Sequence, residues 1–174
     1  MNTASQTQLG QWQKKMFWMM WITYAAFYLG RVNISVAMPG IAEEFGLTKT
    51  SLGGILSALF AMYAIGQFIN GQLGDKLNSR LIITVGLLSS AILNIFMGLT
   101  GGIIGLMVVI WGLNGYFQSM GWGPTVKAMA NWFPSNSRGK ISGRLGTSYI
   151  LGGALSWLLA GTIIKYLNWR ATFW

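Results

Sequence analysis

Apolar runs of close to twenty residues, separated by short polar connectors, constrain this chain more than any other feature. A helical run of ~20 apolar residues spans the hydrocarbon core of a bilayer. Five such segments are read, at about residues 16–39, 52–73, 81–100, 103–130 and 141–167, and a sixth begins near residue 171. Inside hydrocarbon each backbone N–H and C=O must find its partner within the segment, so runs of this kind are expected to be helices. The expected fold is therefore an all-α membrane bundle. Residues 1–15 are polar, end in Lys14-Lys15, and are read as a tail outside the bundle. The block that follows is too long for a signal peptide and contains Arg31, so it is expected to stay as a helix.

Composition narrows the chemistry. The chain holds three acidic residues and neither histidine nor cysteine. Disulfides and thiolate metal sites are excluded, and paired-carboxylate catalysis has almost no material. No enzyme activity, metal or cofactor is expected. A net charge of +9 raises nucleic acid as a partner, but the basic residues sit between apolar blocks and form no single stripe. Nucleic acid is not expected. The same residues orient the chain by the excess of Lys and Arg on the cytoplasmic side. With the N-terminus in the cytoplasm, Lys14, Lys15, Lys76, Arg80, Lys127, Arg138 and Lys140 lie inside, and only Lys49, Lys165 and Arg170 lie outside. The expected location is the cell membrane, multi-pass, with a cytoplasmic N-terminus. Lys127 and Arg144 are read as snorkelling to the inner headgroups.

Local signals divide the segments. Thr50-Ser51 are read as caps opening the second helix, and Gly121-Trp122-Gly123-Pro124 as a break in the fourth. Gly112, Gly115, Gly139, Gly143, Gly146, Gly152 and Gly153 are read as small faces that let helices approach closely.

Arg31 lies roughly 22 Å along the first helix from Met16 at the standard rise. A guanidinium cannot discharge, and at membrane depth it is retained where it meets a polar cavity or a partner. No acidic residue stands near it in sequence. Tyr24, Tyr28 and Ser35 share its helical face. Tyr63, Gln67 and Asn70 recur at helical spacing on the second helix, and Asn114, Gln118 and Trp122 on the fourth. Stripes of this kind facing lipid are costly, so the three are expected to converge on one interior. The planar fork of Arg31 suits a carboxylate or a phosphate. Asn70, Asn114 and Tyr24 fit interhelical hydrogen bonding equally well.

The turn Gly71-Gln-Leu-Gly-Asp75-Lys76-Leu-Asn-Ser-Arg80 resembles the signature between the second and third helices of the major facilitator superfamily. Asn78 stands where that pattern has glycine, and is expected to take the left-handed turn conformation. The stretch Arg31-Val-Asn-Ile-Ser-Val-Ala-Met-Pro39 and the run Gly115-Tyr-Phe-Gln118-Ser-Met-Gly121-Trp122-Gly-Pro124 are similar to the organophosphate:phosphate antiporter branch. The resemblance implies the N-terminal half of a transporter bundle, five helices and the start of a sixth, with a C-terminal half-bundle as partner. It implies exchange of a small organic anion for inorganic phosphate across the lipid bilayer by alternating access. Arg31 would be one half of an anion clamp. Tyr28, Gln67, Tyr63, Gln118, Trp122 and Tyr149 would shape the substrate site, and Gly71, Asp75, Lys76 and Arg80 the cytoplasmic gate. Gln67 replaces a lysine common in that branch. Two other readings stay open: a cation-coupled symporter of carboxylates, and a phosphate-ester sensor on the same fold.

Overall fold

The computed structural model describes residues 3–174. Its elements are α1 (Thr3–Phe45), α2 (Lys49–Lys76), α3 (Ser79–Leu99), α4 (Ile104–Gln118), α5 (Trp122–Trp132), α6 (Ser135–Tyr166) and a terminal 3-10 turn, Arg170–Phe173. Three of these, α2, α3 and α6, are long and apolar enough to cross a membrane. With 15 residues, α4 falls short of the ~20 a single span needs. The helical architecture is as expected, whereas the count of five spans is not reached by single helices. Where a sixth helix is expected to start near 171, the described chain forms the 3-10 turn.

Boundaries differ from the sequence reading for identifiable reasons. The segment read as a tail is helical from Thr3 and continues into α1, where Gln13 donates to the Trp132 carbonyl at 2.7 Å. Pro39 was expected to end the first helix but lies inside it. Proline removes one hydrogen bond without stopping the chain when neighbours hold the helix. Here Gly40, the next residue, is pressed against the Trp169 side chain. α1 ends instead at Phe45, followed by Gly46, whose φ of 62° is left-handed, and the Leu47 N–H reaches back to the Ala42 carbonyl at 3.1 Å.

α2 starts at Lys49, capped by Thr48, whose hydroxyl accepts from the Ser51 N–H at 3.2 Å; Thr50 and Ser51 are already helical. Asn78 caps α3 by accepting from the Arg80 N–H at 2.9 Å. Its φ of −70° is extended rather than left-handed, because a capping role needs the side-chain oxygen and not an unusual backbone. α6 begins at Ser135, six residues before the expected start.

The break in the fourth segment falls at residues 119–121. Met120 and Gly121 donate to Phe117 and Gln118, three residues back, so the chain tightens there before α5 restarts. Pro124 is the third residue of α5, where an N–H has no intrahelical acceptor in any case.

α2 lies along α4, α1 along α6, and α3 backs α4. Glycines set two of these contacts: a Cβ on Gly115 would lie 2.2 Å from the Leu59 carbonyl oxygen, and one on Gly152 2.7 Å from that of Ala25. Gly139 and Gly143, read as part of such faces, meet nothing within 4 Å. Trp111 is fully buried in a core with Ile34, Ile55, Met97 and Phe173, and Trp169 joins it. Trp157 is exposed.

At the α1–α2 end, Glu44 accepts from Arg170 through both carboxylate oxygens, at 2.6 and 2.5 Å, and from the Trp169 ring N–H at 2.8 Å. The guanidinium also lies 4.4 Å over the Trp169 ring. The Arg170 hydrogen bonds, then that of Trp169, hold the Glu44 carboxyl below the usual carboxylate range. The same pairing raises Arg170.

Candidate functional site

Arg31 projects from the middle of α1 toward α2 and α4. Its Nε donates to the Gln118 side-chain oxygen at 3.0 Å, and Nη2 to the Gln118 backbone carbonyl at 3.4 Å. The guanidinium carbon lies 4.7 Å over the Tyr28 ring and 4.6 Å over the Tyr63 ring. Each ring face attracts the cation by about 0.5–2 kcal/mol without cancelling its charge. Two of the five N–H donors are thus committed, and Nη1 meets no acceptor among the described residues.

No carboxylate shares this site. Glu43, Glu44 and Asp75 are the only acidic residues of the chain. Glu43 and Glu44 are more than three turns along α1, about 18 Å at the helical rise, and Glu44 is engaged by Arg170. Asp75 is exposed at the far end of α2. Arg31 is half-buried and carries a positive charge with a free edge.

The structure places the other expected site residues in three sets. Tyr28, Tyr63 and Gln118 touch Arg31. Gln67 and Tyr149 stand one step back: Gln67 donates to the Tyr63 hydroxyl at 2.8 Å, and the Tyr149 ring lies 5.9 Å from that of Tyr28. Trp122 packs on buried Tyr24, 5.0 Å between ring centres, and among the described residues makes neither a hydrogen bond nor a ring contact with Arg31. Asn70 turns away to the Ser119 hydroxyl at 2.7 Å, beside the helix break. Asn114 donates to the Gly30 carbonyl at 2.9 Å. Both take the helix-bonding alternative.

Gln118 is fully buried and uses its amide completely. Nε2 donates to the Phe27 carbonyl at 2.9 Å and to the Ser90 hydroxyl at 2.7 Å, and Oε1 accepts from Arg31. Ser90 donates in turn to Asn114 Oδ1 at 2.6 Å, and Asn94 donates to the Gly30 and Ser90 carbonyls, each at 2.9 Å. Asn33 closes the chain on Asn94 at 2.8 Å and on the Thr172 carbonyl at 3.0 Å. Sequence reasoning missed Ser90 and Asn94. Their spacing of four places both on one face of the largely apolar α3, and this was the available signal.

At the opposite end, Lys127 donates to the Gly74 carbonyl and, at 3.1 Å, to that of Asp75. It therefore closes the C-terminus of α2, where cations are favoured, instead of snorkelling. Among the described residues Asp75 forms no ion pair. Gly71 and Lys76 are exposed on the last turns of α2, and Arg80 in the first turn of α3.

The model of the Major Facilitator Superfamily matches residues 20–174. A probable hexose phosphate transport protein of Chlamydia trachomatis is 37% identical over 163 residues, covering 94% of this chain and 36% of the relative. The glycerol-3-phosphate transporter of Bacillus subtilis is 36% identical over 87% of this chain and 35% of its own length. A membrane sensor protein, UhpC of Escherichia coli, is 28% identical over 92% of this chain and 36% of its own length. The chain spans about a third of the length of these relatives.

Proposed function

The chain belongs to the major facilitator superfamily, and on that premise we propose that the whole protein is a secondary transporter exchanging an organic phosphate for inorganic phosphate. The observation that carries this reading is Arg31: a permanent cation inside the helical bundle, held by a neutral amide and two rings, with no carboxylate to cancel it. A phosphate ester approaching the free edge would form charge-assisted hydrogen bonds, the strongest class available to a guanidinium.

In this reading Arg31 anchors the anion, and Tyr28 and Tyr63 line its sides. Gln67 orients the Tyr63 hydroxyl, and Tyr149 and Trp122 extend the wall. Gln118 serves by aiming Arg31. A second half-bundle completes the site and rocks against this one, so that the site opens alternately to each face. Gly71, Asp75, Lys76 and Arg80 belong to the gate at the cytoplasmic end, with the N-terminus on that side. The names of relatives that carry hexose phosphate or glycerol 3-phosphate support an organophosphate substrate. The driving force is the opposing anion gradient.

A second reading is favoured by one observation, the likeness to a membrane sensor protein. The two separate in proteoliposomes containing the whole protein. Exchange predicts that uptake of labelled glycerol 3-phosphate requires inorganic phosphate inside. Saturable binding with no flux would establish the sensor reading instead. Uptake that ignores internal phosphate and follows a proton gradient would overturn antiport.

A further inference from the structure

We propose that Ser90, on α3, is a positioning residue for the anion site: it fixes the orientation of the Gln118 amide and so keeps the free edge of Arg31 aimed outward. The proposal rests on the reading of Arg31 as the anion anchor, but its mechanism is internal to the chain.

An amide can sit either way round at nearly the same shape, and the two orientations have opposite consequences here. With Oε1 toward Arg31, Gln118 accepts from Nε. Turned over, it would present N–H donors to a guanidinium that has only donors itself. One feature that opposes the turn is the Phe27 carbonyl, which can only accept and lies 2.9 Å from Nε2. The other is Ser90, whose hydroxyl can donate or accept and therefore needs its own direction set.

That direction comes from Asn114. Its Nδ2 donates to the Gly30 carbonyl, which leaves Oδ1 facing Ser90 at 2.6 Å. Ser90 must then donate to Asn114, and its lone pairs are left for Gln118 at 2.7 Å. Each polarity in the series is referred to a backbone carbonyl that cannot reverse. Ser90 is 3% exposed and Gln118 fully buried, so water does not compete for these bonds. Ser90 itself makes no hydrogen bond to the guanidinium and acts through Gln118.

The test is the Arg31 Nε–H proton, observed by ¹⁵N NMR of the whole protein in micelles and assigned by its loss in Arg31→Lys. Ser90→Ala should speed its exchange with solvent by about tenfold, the scale of one net hydrogen bond, and should weaken inorganic phosphate binding by a similar factor. Ser90→Thr, which keeps the hydroxyl, should restore both to within about twofold on the same scale. If Ser90→Ala does not yield folded protein, Ser90→Cys replaces it, because a thiol donates and accepts weakly, and should give an intermediate exchange rate. Unchanged exchange in Ser90→Ala or Ser90→Cys, with the protein folded, overturns the proposal. Exchange that rises as expected in a protein that binds no phosphate even as wild type would uphold the positioning role and sink the anion-site reading.

Discussion

A guanidinium bonded to an amide keeps its positive charge uncompensated, whereas one bonded to a carboxylate has that charge balanced by its partner. Gln118 meets Arg31 at 3.0 Å through a neutral oxygen, and this choice leaves the charge available to a ligand. Gln118→Glu should close the same contact with a counter-charge, at the cost of the donor to the Phe27 carbonyl, and so weaken phosphate-ester binding by roughly 100-fold, a few kcal/mol. Titration calorimetry on the purified protein measures this, and binding within a factor of three of wild type would contradict it. Arg31 itself was legible in the sequence, because a charge amid apolar residues needs a reason whatever the fold. The side to which each glutamine and asparagine turns was not. Asn70 and Gln67 are three residues apart on α2, yet one serves the helix break and the other the Tyr63 hydroxyl. That division is decided by which helix stands opposite, and a single sequence does not carry it.

Elements were legible by their apolar length, and their ends were not. Pro39 read as the end of the first helix but lies within α1, whereas Pro124, read as part of a break, sits in the first turn of α5 just after one, where its cost is small. Glycines likewise read alike and act differently. Gly115→Ala would drive a methyl group into the Leu59 backbone and should destabilise the bundle by about 1–3 kcal/mol. Gly139→Ala, in open space within α6, should instead add about 0.5–1 kcal/mol through helix propensity. Unfolding midpoints in mixed micelles distinguish these signs. At the other end, the Glu44 clasp ties α1 to the terminal turn. Its folded carboxyl lies below the ordinary value of 4.5, so the clasp contributes in full above that pH and is lost as the pH falls through the lowered value. Thermal midpoints of wild type should therefore fall more steeply below pH 4.5 than those of Glu44→Gln; parallel curves would remove the clasp from the stability account.

At the scale of the molecule, two helix pairs, α1 with α6 and α2 with α4, bring their polar faces to one place, and Arg31 stands where they meet. This chain holds no cysteine, so the proposed orientation is testable by single cysteines placed in it, with any cysteine elsewhere in the whole protein replaced by serine. Thr50→Cys should react with an impermeant maleimide on intact cells, and Asn136→Cys only after permeabilisation; the reverse pattern would invert the topology. The role proposed for Arg31 is that its uncompensated charge anchors the transported anion. It is tested most directly by phosphate-loaded exchange with the whole protein carrying Arg31→Lys or Arg31→Ala. Lysine keeps the charge but loses the fork, so exchange should survive at roughly one hundredth of the wild-type rate or less, and alanine should abolish it with the protein still folded. Exchange by Arg31→Ala within a factor of two of wild type would contradict the account.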